Sequence, residues 1–248
     1  MQVFDAHLHI IDPRFPLIEN QGYVPEAFTA EHYRQSVENL GVVGGAIVSG
    51  SFQGFDQTYL MDALNKLGGK FVGVTQLPTN VSDEEILKLH KNGVRALRFN
   101  VNRGGPEKIA QLDHFARRVH EIAGWHAELY INSKDLGELK RTIERLPAAS
   151  IDHLGLSKDG FPELLSLVER GVKVKATGFG RIDFDPAEAV RTIHELNPDA
   201  LMFGTDLPST RAKTPFQESD ISLIQETLGE KQAEKVLYKN AFEWYGIE

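Results

Sequence analysis

FDAHLHI, residues 4–10, alternates apolar and ionisable side chains with a period of two, the pattern of a β-strand whose two faces meet different surroundings. In a closed barrel of parallel strands one face packs against helices and the other points at the axis. The alternation therefore predicts Phe4, Ala6, Leu8 and Ile10 outward, against helices, and Asp5, His7 and His9 inward. Two imidazoles and a carboxylate meeting inside a barrel predict chemistry, because unpaired polar groups are costly in a packed core.

Beyond this stretch, short β-rich segments bounded by Gly, Pro, Asn or Asp alternate with amphipathic ones through the whole chain. Eight strands are predicted: residues 3–10, 45–51, 71–77, 94–101, 126–132, 150–154, 172–177 and 201–206. The helices between them carry their own start signals. Ser82 precedes Asp83, Glu84 and Glu85 as an N-cap, with Gly93 as the stop, and Asp185-Pro186 opens another helix. Eight βα units in 248 residues predict an α/β fold, a (β/α)8 TIM barrel, with one catalytic domain over residues 1–248. A doubly wound sheet is the alternative.

Composition narrows the function. A net charge of −8 opposes nucleic acid and anionic membrane surfaces, so the expected partner is a small-molecule substrate; a homo-oligomer is left open. No cysteine is present, which removes disulfides, thiolate catalysis and thiolate-held metals. The N-terminus shows no basic region followed by an apolar run, and no segment approaches the roughly 20 apolar residues of a membrane span, so cytoplasmic residence is expected.

Strand parity extends the interior set. It aims Glu128, Tyr130 and Asn132 inward on the fifth strand, Ile151 and His153 on the sixth, Lys173, Lys175 and Thr177 on the seventh, and Met202, Gly204 and Asp206 on the eighth. On the fourth it groups Val94, Ala96, Arg98 and Asn100. Asp152 is left facing the helices as a structural carboxylate. The polar members gather at strand C-terminal ends, where barrel enzymes place their chemistry.

FDAHLHI, GVRALRFN (93–100), GWHAELYIN (124–132), IDHLG (151–155), VKATGFGR (174–181) and FGTDLP (203–208), in this order, resemble the amidohydrolase superfamily. Within it the resemblance is to the amidohydrolase-2 group, which includes 2-pyrone-4,6-dicarboxylate lactonase and sugar-lactone hydrolases. That resemblance implies His7, His9 and His153 as groups polarising an ester carbonyl and Asp206 as the base that takes a proton from water. It implies Ser51, Arg98, Tyr130 and Arg181 as substrate contacts, the arginines matching a carboxylate by their planar fork. Leu156 stands where the pyrone enzymes carry a further arginine, which disfavours a doubly anionic pyrone. For cofactors, metal-free hydrolysis and one Zn²⁺ or Mn²⁺ held by His7, His9, Asp206 and Glu128 stand as equal alternatives, and a binuclear centre is not expected because Arg98 occupies the fourth strand.

The function expected is hydrolysis of a lactone bearing a carboxylate or hydroxyls. Two alternatives stay open: a metal-dependent non-oxidative decarboxylase, and a non-catalytic barrel that binds a sugar acid.

Overall fold

The computed structural model describes residues 1–247. Eight parallel strands, β1 (Val3–Leu8), β2 (Val42–Val48), β3 (Phe71–Thr75), β4 (Val94–Asn100), β5 (His126–Tyr130), β6 (Ala149–Ile151), β7 (Lys173–Ala176) and β8 (Leu201–Phe203), pair in sequence order. Backbone hydrogen bonds from Asp206 N to His7 O (2.7 Å) and His9 N to Leu207 O (2.8 Å) bring β8 against β1. The fold is a TIM barrel.

Seven helices connect the strands: α1 (Ala30–Val37), α2 (Thr58–Leu67), α3 (Asp83–Lys91), α4 (Leu112–Ala123), α5 (Leu139–Ile143), α6 (Phe161–Glu169) and α7 (Pro186–Leu196). Helix α8 (Ser219–Leu228) follows β8, and α9 (Glu230–Glu234) and α10 (Asn240–Trp244) close the chain. The predicted caps form: Ser82 accepts from Glu85 N, and Asp185 accepts from Ala187 N ahead of Pro186. Gly93, at φ +102°, takes the left-handed turn between α3 and β4 that other residues resist. No described helix is long and apolar enough to cross a membrane.

Two apolar layers result. Leu8, Ile47, Leu97, Leu129, Ile151 and Val174 pack outward among the helices. Phe4, Ala6, Ala46, Val48, Val72, Val74, Ala96 and Met202 fill the lower barrel, where α10 contributes Ala241 and is followed by the buried Tyr245.

Strict parity fails at three strands, each time for a local reason. Between Asp5 and Leu8, β1 uses three residues where β2 uses two from Gly45 to Ile47. That bulge re-aims the side chains around it. Phe4 and Ala6 point inward, not outward, and Asp5 turns out to meet Tyr33 of α1; His7 and His9 keep the interior. On β4 the register slips by one between Val94 and Ala96, leaving Val94 on the helix side. On β6, Ile151 faces the helices and Asp152 faces the interior, reversing the expectation. His153 also reaches inward because its φ is +53°.

Candidate active site

His7, His9, His153 and Asp206 converge at the C-terminal rim of the barrel. His7 Nε2 lies 3.9 Å and His9 Nε2 3.8 Å from Asp206 Oδ1, and the His7 and His153 ring centres are 4.9 Å apart. Their second ring contacts set the protons. His9 Nδ1 sits 2.7 Å from the carbonyl of Val48, which only accepts, so the proton belongs on Nδ1 and the Nε2 lone pair faces the pocket. Asp152 Oδ1 stands 3.5 Å from His7 Nδ1 and directs that ring the same way. Three acceptors thus face one another, and neither His7 Nε2 nor Asp206 Oδ1 has a hydrogen-bond partner among the described residues. His7, His9 and Asp206 offer ligand atoms within 4.8 Å of one another, as do His7, Asp152 and His153. Such a His/Asp cluster could bind a metal ion.

Charge and burial are arranged so that Asp206 stays ionised and His7 and His153 neutral. Burial alone would raise Asp206, but Arg181, whose Nε donates to Oδ2 at 2.6 Å, and His153 hold it well below the usual carboxylate range. Burial lowers His7 to about 4, against the opposing pull of Asp152. Burial likewise pushes His153 well below its ordinary value. Asp206 and His153 have left-handed backbones, φ +61° and +53°, a strained conformation for side chains other than glycine that concentrates at functional sites.

A cleft opens above these groups at the barrel mouth. His9, Ser51, Arg98, Tyr130, His153, Arg181 and Asp206 all line it. Arg98 is anchored on both sides, donating to Asp152 Oδ2 (2.9 Å) and Ser49 O (2.6 Å), beside the Tyr130 ring.

The amidohydrolase family model matches residues 4–247. The chain belongs to the amidohydrolase family. Its relatives include a 2-pyrone-4,6-dicarboxylate hydrolase from Comamonas testosteroni, 29% identical with 84% of this chain and 77% of that protein covered. A 4-sulfomuconolactone hydrolase from Hydrogenophaga intermedia is 24% identical, with 98% of this chain and 88% of that one covered. Among solved structures, a Pseudomonas putida chain provisionally named a 2-pyrone-4,6-dicarboxylic acid hydrolase superposes with a TM-score of 0.83 at 25% identity, covering 100% of this chain and 98% of that one.

In this amidohydrolase Glu128 lies apart from the triad it was expected to join. It accepts from Tyr245 Oη (2.5 Å), contacts His126 Nε2 (2.9 Å) and is bonded to the buried ammonium of Lys175. Its oxygens are committed to the barrel floor, and neither ligand cluster contains it. Parity missed Asp152 because β6 ends after three residues and the chain leaves the pleat there. Arg103 and Arg211 also line the cleft and went unremarked in the sequence. Both sit in loops following strands, and that position at the C-terminal face was the signal available.

Proposed function

We propose that this amidohydrolase is a lactonase, adding water to the ring ester of a small substrate that carries an acid group or hydroxyls. One observation carries the reading: the ionised Asp206 presents an unengaged Oδ1 within 3.9 Å of two imidazoles at the base of the cleft. A carboxylate so placed is within reach of a water and of the bond that water attacks. The relatives' named substrates, a pyrone and a muconolactone, are both cyclic esters, which favours a lactone over other acyl compounds.

In the mechanism, Asp206 Oδ1 takes a proton from water as the water oxygen bonds to the lactone carbonyl carbon and the carbonyl electron pair moves onto its oxygen. His153, held between His7 and Tyr130, donates to that developing oxyanion. Collapse of the adduct restores the carbonyl and breaks the ring C–O bond, and the proton on Asp206 passes to the departing ring oxygen. Arg181 keeps Asp206 oriented throughout, and Arg98 fixes Asp152 behind His7. The acceptor-only set of His7, His9 and Asp206 fits one Zn²⁺ or Mn²⁺, which when bound supplies Lewis-acid polarisation of the carbonyl. Glu128 is not part of that set.

The test is acid release from a panel of sugar lactones, muconolactones and pyrone carboxylates, followed with a pH indicator. Asp206→Asn is expected to lower kcat by about 10²–10⁴-fold with the circular dichroism spectrum retained. Equal acid release by both proteins would sink the reading. Dialysis against a chelator, with Zn²⁺ or Mn²⁺ added back, decides the metal: loss and recovery of activity establish it, and unchanged turnover rejects it.

A further inference from the structure

Four arginines face the cleft, Arg98, Arg103, Arg181 and Arg211, and their charges are not equally available. Arg98 is paired with Asp152 and Arg181 with Asp206, at 2.9 and 2.6 Å. Neither Arg103 nor Arg211 forms an ion pair with any carboxylate among the described residues. The cationic side chains at the base are therefore neutralised by their own aspartates, and the uncompensated positive charge lies in the loops at the mouth. A substrate anion docking on Arg98 or Arg181 would compete with a buried carboxylate already in place; at the mouth it meets no competitor.

Arg211 is also held in position before any ligand arrives. Its guanidinium stacks 4.4 Å from the centre of the Tyr23 ring, and Nη2 donates to Asn20 Oδ1 at 3.0 Å. Asn20 and Tyr23 exchange backbone hydrogen bonds of 3.0 and 3.1 Å, so they form one rigid turn of the β1 loop. The same turn fixes the β4 loop, because Asn20 Nδ2 and Gln21 Nε2 donate to the carbonyl of Arg103 at 3.2 and 3.1 Å. Arg211 Nε and Nη1 make no hydrogen bond among the described residues, and Nη2 gives only one of its two hydrogens to Asn20, so one edge of the fork, Nη1 with Nη2 or Nε with Nη2, stays open to a carboxylate. An arginine immobilised by stacking loses little further side-chain entropy when an anion binds.

We infer that Arg211, braced by Asn20 and Tyr23, determines specificity by receiving the substrate's carboxylate at the mouth of the cleft. The identity of the ligand as a lactone acid rests on the lactonase reading; the anion contact itself does not. Leu156, which lines the basin next to Arg211, offers no charge, so this loop arginine supplies from another direction a contact that the loop after β6 lacks.

The test compares turnover of 2-pyrone-5-carboxylate with that of its methyl ester in the wild type, Arg211→Gln, Arg211→Lys and Asn20→Ala. Binding of benzene-1,3-dicarboxylate, which has no ring ester to hydrolyse, is measured in parallel by calorimetry. Arg211→Gln is expected to lower the acid-to-ester ratio of kcat/KM about tenfold or more, mainly through KM for the acid, and to weaken the dicarboxylate by a similar factor. Arg211→Lys is expected to fall between, and Asn20→Ala to lower the ratio less, with unchanged melting temperatures confirming the fold. An unchanged ratio in Arg211→Gln overturns the inference. If the wild type hydrolyses neither pyrone, that failure counts against the lactonase reading, and the dicarboxylate decides alone: weaker binding to Arg211→Gln supports the inference, while equal binding, or none to the wild type, overturns it.

Discussion

Asp5 accepts four hydrogen bonds: from His7 N (3.2 Å) and Thr205 N (2.8 Å) on one oxygen, and from Tyr33 Oη (2.9 Å) and Thr205 Oγ1 (2.7 Å) on the other. It ties β1 to α1 and to the start of the β8 loop, which makes it a brace behind His7. Burial nevertheless outweighs these donors and raises its carboxyl from 3.8 to about 6. Between those two values the folded chain keeps a proton that the unfolded chain has released. The contribution of this group to stability is therefore greatest in acid and declines as pH rises through about 6. An asparagine in its place would offer one acceptor to the two amides and one donor to the two hydroxyls, which can rotate to accept. Asp5→Asn is thus expected to gain stability relative to the wild type between about pH 4 and 7, on the order of 1–3 kcal/mol, and to level off above. Denaturant titrations at each pH check this, and a pH-independent difference would contradict it.

The seam between β1 and β8 depends on a residue with no side chain. A Cβ at Gly204 would stand 2.7 Å from both the Cβ and the amide nitrogen of His7, closer than real contacts allow, and the obstructing atoms belong to a strand that cannot step aside. Gly204→Ala is expected to cost about 1–3 kcal/mol of stability and to reduce turnover further than that loss explains, because His7 is the residue displaced. Activity measured well below the melting temperature separates the two effects, and full kcat in a destabilised protein would show that His7 tolerates the shift. Strand β6 illustrates the opposite case, in which a break in regular structure adds side chains to the site. Its three residues are followed by Asp152 and the left-handed His153, so two consecutive polar side chains reach the interior where a regular pleat would deliver one. Alternation along IDHLG marks one of them at most, which is why His153 was legible and Asp152 was not.

Across the whole molecule, a chain of buried charge runs from the barrel floor to the site. Tyr245 and His126 contact Glu128, Glu128 pairs with Lys175, Lys175 stands 4.0 Å from Asp152, and Asp152 meets Arg98 and His7. Glu128, Lys175, Asp152, Arg98, His7 and His126 are all buried, so removing one partner leaves another charged in an apolar surround. Glu128→Gln is expected to cost about 3–5 kcal/mol, and the double change Glu128→Leu with Lys175→Met much less; thermal melts of both variants test the pair. The eightfold strand and helix alternation and the histidine pair with Asp206 are written in the sequence, because each depends on spacing along the chain or on a residue's own chemistry. The bulge that turns Asp5 away, the inward swing of Asp152, the commitment of Glu128 to Lys175 and the approach of Arg211 to Tyr23 depend on register between strands and on contacts between loops distant in the chain. Those are decided only when the barrel closes, since a one-residue slip reverses which face a side chain takes and no local pattern records which loops meet.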